Sequence, residues 1–198
     1  MTDRPLIAFE GLDQSGKQTQ AERLVTALRD HGRQVHFRSF PNYTTAIGTE
    51  IRHALHDGRE YAADVMQLLY IANRYEHKPE IETSLASGAV VVCDRYLASS
   101  VAYGEAQGLD AEWLTAMQRY LPQPALTVLL DIAPEASLQR KQRERDRYER
   151  DLALLSRVRD SYLRQAERGH WVRVNGAQDI ENVTTDILAA VRSRLGLL

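Results

Sequence analysis

The run Gly11-Leu12-Asp13-Gln14-Ser15-Gly16-Lys17 constrains this chain more than any other stretch. It follows an apolar, strand-like stretch, Leu6-Ile7-Ala8-Phe9, and opens onto a helix-period segment at residues 21–30. Strand, glycine-framed turn and helix, in that order, make the setting of a phosphate-binding loop. Gly11 and Gly16 permit a tight turn and close backbone approach, because neither carries a Cβ. Successive N–H groups then converge on one point, and the positive end of the helix dipole adds to them. Lys17 supplies a mobile cation for the β- and γ-phosphates, so a nucleoside triphosphate is the expected ligand. One position departs from the usual pattern. A hydroxyl residue normally follows the lysine and holds magnesium, but here Gln18 stands there and the hydroxyl comes at Thr19. One step along a helix turns a side chain by about 100°, so Thr19 is no direct substitute.

Five short apolar runs read as strands, at residues 6–10, 35–38, 89–94, 126–131 and 171–174. Several are continuously apolar, the mark of strands covered on both faces of a parallel sheet. Helix-period segments separate them. Ala21, Leu24, Ala27 and Leu28 share one face, with Gly32 as a C-terminal stop. Asp110 is a candidate N-cap for a helix through Tyr120, closed by Pro122 and Pro124, and residues 180–195 form the last helix. Alternating strands and helices predict a doubly wound α/β domain with a five-stranded parallel sheet flanked by helices. Ligands in such sheets bind beyond the carboxyl ends of the strands, where the phosphate loop and Asp94-Arg95-Tyr96 would line one crevice.

A chain of 198 residues suffices for one well-buried domain. A formal net charge of -2 argues against a general nucleic-acid surface. No apolar stretch approaches membrane-spanning length and the N-terminus lacks a signal-peptide layout, so the expected compartment is the cytoplasm, with no membrane partner. The single cysteine, Cys93, lies in an apolar run and reads as inert core.

Asp94 ends a buried strand with an acid, where magnesium or its water shell needs a carboxylate, and is the candidate metal residue. Arg95 follows, suited to a two-pronged contact with phosphate. Glu10 also ends a strand and is read as an orienting acid. Residues 138–150 hold six basic side chains (Arg140, Lys141, Arg143, Arg145, Arg147, Arg150) and three acids (Glu144, Asp146, Glu149). Such a run fits a solvated helix. It also fits an arginine-rich lid that brings positive charge to a transferring phosphoryl group. Tyr70 and Arg74, four apart on a predicted helix, share one face and could stack on a base and hydrogen-bond it. Trp113 and Trp171 read as core or interface, and the histidines show no metal-ligand spacing.

Together these residues resemble the thymidylate kinase family nearly end to end. Phe9 to Asp13, Gly16-Lys17, Phe40-Pro41, Ile47-Gly48, the run 68–74, Asp94-Arg95-Tyr96, the run 99–103 and the stretch 124–140, with Asp131 and Pro134, follow the family's order and spacing. Asp94-Arg95-Tyr96 with Ala102-Tyr103 shortly after is the most specific marker. The resemblance implies a nucleoside monophosphate kinase-like fold with an arginine-rich lid, and transfer of phosphate from ATP, with magnesium, to dTMP. It implies that Gly11, Leu12, Asp13, Gln14, Ser15, Gly16, Lys17, Gln18, Thr19 and Arg140 bind ATP. It also implies that Asp13, Phe40, Tyr70, Arg74, Arg95, Ser99 and Tyr103 bind dTMP. Asp13 would hold the 3′-hydroxyl or orient the acceptor phosphate, Tyr70 would stack on thymine, Arg74 would meet its edge, and Tyr103 would occupy the place of a ribose 2′-hydroxyl. Lys17, Arg95, Arg143 and Arg145 would be catalytic, and a homodimer is implied.

Four positions depart from the family pattern. Gln18 replaces the hydroxyl residue, Gln14 stands where one subgroup has arginine, Tyr43 where many members have an arginine for the acceptor phosphate, and Gly104 where many bacterial members have glutamine. With Gln14 uncharged, the lid is expected to supply the missing charge. Two other functions stay open on sequence: a kinase for another nucleoside monophosphate or a deoxynucleoside, and a nucleotide-binding switch without turnover.

Overall fold

The computed structural model describes residues 5–56, 58–140 and 151–198. Its elements, in chain order, are β1 (Leu6–Glu10), α1 (Lys17–Asp30), β2 (Val35–Ser39), α2 (Ala46–His56), α3 (Ala63–Glu76), α4 (Lys78–Ala86), β3 (Val90–Asp94), α5 (Leu97–Ala106), α6 (Ala111–Met117), β4 (Leu126–Asp131), α7 (Pro134–Arg140), α8 (Leu152–Gly169), β5 (Val172–Asn175) and α9 (Ile180–Leu195). The strands pair in parallel in the order β2-β3-β1-β4-β5. From β1 the chain moves to β2 and β3 on one side, then crosses back to β4 and β5. The order therefore reverses at β1, and a crevice opens beyond the carboxyl ends of the central strands.

The two-sided burial follows directly from the strand sequences. In β1, Ile7 and Phe9 pack with Leu24 and Leu28 of α1 and with Val183 and Ile187 of α9. Leu6 and Ala8 face the other way, against Ile81 and Leu85 of α4, Phe40 and Tyr96. Each fully buried large aliphatic side chain here contributes roughly 2 kcal/mol of transfer free energy, so neither face tolerates a polar replacement. Cys93 belongs to this core, and burial pushes its thiol well above the ordinary range.

The strand bounds differ from the sequence reading by one residue at most. Two helices differ by more. The first helix begins at Lys17 rather than residue 21, because Gly16, at φ 93°, ends the loop and passes directly into helix. Residues 17–20 carry no apolar periodicity. Gln20 is buried instead through polar partners on α9, donating to Ile180 O at 3.0 Å and accepting from Thr184 Oγ1 at 2.9 Å. The helix capped by Asp110 stops at Met117, short of Tyr120. Its next residue, Gln118, turns inward to bond Leu97 O and Leu114 O. Among the described residues, no helix is long and apolar enough to cross a membrane.

Candidate active site

The phosphate loop is built by close contact with the sheet. A Cβ on Gly11, at φ 137°, would lie 2.4 Å from Leu130 O of β4, so only glycine lets the loop start there. Gly16 caps α1 without a side-chain hydrogen bond. The first-turn N–H groups of α1 thus have no capping side chain, which is how a helix presents its N-terminus to an anion. Two side chains of α7 brace the loop from outside: Ser137 Oγ donates to Asp13 O at 2.7 Å, and Arg140 donates to Gln14 O at 3.1 Å and Gly176 O at 3.0 Å.

Lys17 is buried, and its Nζ donates to Leu12 O at 2.7 Å. An ammonium has three donors, so this bond leaves capacity for phosphate oxygens. Burial first, and then nearby Arg95, lower its pKa from 10.5 to about 8, against the pull of Asp13, Asp94 and Glu10. Gln18 is exposed, and its Nε2 donates to Glu22 Oε1 at 2.9 Å along α1; Thr19 is exposed as well. Asp94 ends β3 beside Phe9 of β1, and its Oδ1 is buried without a hydrogen-bond partner. A hard carboxylate oxygen left over at the phosphate loop fits magnesium, which keeps most of its shell as water and phosphate oxygens.

Across the crevice, Arg95 is locked by four contacts. It donates to Asp13 Oδ1 at 2.5 Å, Ser99 Oγ at 3.2 Å, Tyr162 OH at 3.3 Å and Tyr103 OH at 3.4 Å. Tyr103 OH in turn donates to Asp13 Oδ2 at 2.9 Å. Burial works against both charges and is the largest single influence on Asp13, yet Arg95, Lys17 and Tyr103 together outweigh it, and the carboxyl sits well below the usual range. Asp13 likewise holds the Arg95 guanidinium well above its usual value. Glu10 accepts from Tyr96 N, Ser99 Oγ and Tyr162 OH, so it orients the residues around Arg95.

A cavity beside Arg95 is lined by Asp13, Phe40, Tyr43, Gln67, Tyr70, Arg74, Ser99, Ser100 and Tyr103, among others. Tyr70 and Arg74 do share a face of α3, and both reach this cavity. Arg74 is buried, which lowers its pKa; it donates to Ser100 Oγ at 2.7 Å and Gln118 Oε1 at 3.4 Å, while its Nε has no partner. The cavity is therefore an aromatic slot with a donor-rich inner end and an arginine facing the phosphate loop.

The thymidylate kinase family model matches residues 9–187. The chain belongs to the thymidylate kinase family. It is 37% identical over 198 residues to the probable thymidylate kinase of Pyrococcus horikoshii, covering 96% of each chain. The thymidylate kinase of Plasmodium falciparum is 33% identical over 186 residues, with 93% of this chain and 88% of that one covered. The solved thymidylate kinase of Candida albicans superposes with a TM-score of 0.87 at 28% identity, covering 98% of this chain and 94% of that one. The fold is thus the family's five-stranded parallel sheet flanked by helices.

Within this thymidylate kinase-family framework, the residues read from sequence divide into two groups around one crevice. Gly11, Leu12, Asp13, Gln14, Ser15, Gly16, Lys17, Gln18 and Thr19 form the loop and the first turn of α1, and Arg140 braces that loop. Phe40, Tyr70, Arg74, Arg95, Ser99 and Tyr103 line the cavity, with Asp13 shared between the two. Arg143 and Arg145 lie outside the described residues, as does most of the 138–150 segment. Sequence reasoning passed over Tyr162, Ser137, Asn73 and Gln67. Asn73 fixes the loop after β2 by accepting from Asn42 N at 2.7 Å and donating to Asn42 O at 3.1 Å. Gln67 was findable: it sits three residues before Tyr70 and seven before Arg74, on the same helix face. Gly104 also has a local reason, since a Cβ there would lie 2.5 Å from Leu114 Cδ1 and 3.3 Å from Gln67 Cγ.

Proposed function

We propose that this chain transfers the γ-phosphoryl group of ATP to dTMP, giving dTDP and ADP. The phosphate loop holds the triphosphate through its N–H groups and Lys17. The cavity takes the nucleotide acceptor, with its base between Phe40 and Tyr70, its edge toward Arg74, and its phosphate toward Arg95. Tyr103, tied to Asp13, closes the sugar region and favours a deoxyribose. The observation that carries this reading is a juxtaposition: an aromatic slot lined by Arg74 and Arg95, with Arg95 bonded to Asp13 of the phosphate loop.

The chemistry suits so sparse a site. A phosphate monoester has a second pKa near about 6, so the acceptor is already largely a dianion at neutral pH and needs no strong general base. The protein's task is to bring two anions into line and offset charge as it moves. Lys17, at the start of α1, is assigned to the donor phosphates, and Arg95, in the cavity lining, to the acceptor phosphate. Bound magnesium would neutralise phosphate charge, and Asp94 is the residue suited to hold it or its waters, with Gln18 outside that role. Arg143 and Arg145 are assigned, from sequence alone, to the transferred group, because Gln14 offers no charge there. A cytoplasmic homodimer completes the proposal.

The test is ADP release from ATP and magnesium by the purified protein. ADP formation that depends on added dTMP, with dTDP as the second product, supports the proposal. ATP turnover indifferent to dTMP would contradict it, and no turnover with any nucleoside monophosphate would favour the nucleotide-binding switch.

A further inference from the structure

Gln67 is 1% exposed, and neither its amide oxygen nor its amide nitrogen has a hydrogen-bond partner. Buried carboxamides are normally paired, because leaving both ends unbonded forfeits the hydration they had in the unfolded chain. This one lines the same cavity as Tyr70 and Arg74 and projects from the same face of α3. Its aliphatic stem is fixed by close packing beside Gly104, where a Cβ would already lie 3.3 Å from Gln67 Cγ. The amide is thus held in place, at the donor-rich end of the slot, with its polar atoms unused.

The chemistry of a thymine edge calls for such a group. That edge presents acceptor, donor, acceptor: O4, N3–H and O2. Arginine has five donors and no acceptor, so Arg74 can serve a carbonyl but cannot receive N3–H. Ser100 Oγ, Ser99 Oγ and Asp13 in the same lining already have partners: Ser100 Oγ accepts from Arg74, Ser99 Oγ bonds Glu10, and Asp13 accepts from Arg95 and Tyr103. Among the described residues lining the cavity, Gln67 Oε1 is the buried acceptor left without a partner.

We propose that the Gln67 carboxamide reads the acceptor base directly, its Oε1 accepting from thymine N3–H and its Nε2 donating to the adjacent carbonyl. This rests on the cavity being the nucleotide-acceptor site. Gln67 and Arg74 divide the labour. A carboxamide alone does not separate thymine from cytosine, since it can turn over to match cytosine's N3 and amino group. Arg74 breaks that tie, because a guanidinium opposes an amino group where it welcomes O4. Gln67 makes the site demand an unblocked N3 position.

The experiment compares dTMP with N3-methyl-dTMP as acceptors, at saturating ATP and magnesium, for the wild type, Gln67→Leu and Gln67→Glu. The wild type should prefer dTMP by roughly tenfold or more in kcat/KM, the usual consequence of blocking a hydrogen bond that a site is built to make. Gln67→Leu should lose roughly 10- to 100-fold with dTMP, keep the KM for ATP within about twofold, and show nearly equal use of the two acceptors. Gln67→Glu keeps an acceptor for N3–H and should retain the discrimination even where its rate falls; it also carries the test if the leucine variant folds poorly. Wild-type indifference to N3-methylation, or a Gln67→Leu enzyme with unchanged dTMP kinetics or undiminished discrimination, would overturn the inference while leaving the acceptor site standing. A wild type that does not phosphorylate dTMP would overturn the acceptor site itself, and this inference with it.

Discussion

Asp13 and Arg95 lie 2.5 Å apart and join the loop after β1 to the turn after β3. Asp13 belongs to the phosphate loop and both residues line the cavity, so the pair ties the two halves of the site together. Tyr103 and Tyr162 extend it into α5 and α8. The charge that would meet the acceptor phosphate is thereby held in place before any substrate arrives.

Asp13→Asn should weaken this arrangement in two ways. At neutral pH it should lower stability by about 1–2 kcal/mol, since a partly buried arginine loses its anionic partner. It should also lower kcat/KM for dTMP more than the affinity for ATP. The Asp13 pKa is lower folded than unfolded, so its contribution is fully present above the ordinary value of 3.8 and disappears as the pH falls below it. Chemical denaturation of both proteins should show a stability gap at pH 7 that narrows under acid; a gap that stays constant with pH would remove the electrostatic cause.

Lys17 gives the pH dependence on the alkaline side. Its ammonium, with a pKa of about 8, is charged below that pH and becomes neutral above it. ATP affinity should therefore fall as the pH rises through about 8, and binding near that pH should take up a proton, because a polyanion favours the charged form. Calorimetry in buffers of different ionisation enthalpy reads the proton directly. Lys17→Ala should abolish the uptake and lower kcat by roughly 100- to 1000-fold; proton uptake that survives in this variant would place the titrating group elsewhere.

The magnesium site yields a ranking. Asp94 Oδ1 is buried and unpartnered, while the Gln18 amide is bonded to Glu22 on the exposed face of α1. Asp94→Asn should raise the magnesium concentration for half-maximal rate by about tenfold or more, and Gln18→Ala should change it by less than about twofold. A magnesium titration giving the reverse order would make Gln18 the residue that matters.

Much of this geometry was legible in the chain because it rests on local rules. The continuous apolar runs marked strands buried on both faces, and Gly11 and Gly16 marked a backbone that must turn and approach closely. Tyr70 and Arg74 could be paired because four residues on a helix return to one face. What stayed hidden depends on side chains brought together from distant parts of the chain. Tyr162 reaches Arg95 only because α8 packs on α5, and nothing near Tyr162 in sequence signals it. The start of α1 was missed because Gln20 is buried by hydrogen bonds to α9 instead of by apolar periodicity. Gln67 carried a usable signal, its spacing to Tyr70 and Arg74, but a polar residue at such a position gains meaning only once its burial is known.

Arg74 provides the sharpest separation of the two substrates. It lines the cavity and is bonded to Ser100 and Gln118, whereas the phosphate loop meets the cavity through Asp13. Arg74→Ala should raise the KM for dTMP by roughly tenfold or more and leave the KM for ATP within about twofold. Initial-rate kinetics with each substrate varied in turn would check this, and equal weakening of both would move α3 away from the acceptor.

An aromatic slot that takes thymidylate beside an ATP-binding loop should discriminate strongly among acceptors. The most direct measurement is the ratio of kcat/KM for dTMP to that for dCMP, dGMP and dAMP, with ATP and magnesium held saturating. A slot walled by Phe40, Tyr70 and Tyr103, with Arg74 and Gln67 at its inner end, should favour dTMP by about 100-fold or more over each of the others. Equal use of all four acceptors, or preference for a purine nucleotide, would contradict a thymidylate site in this slot.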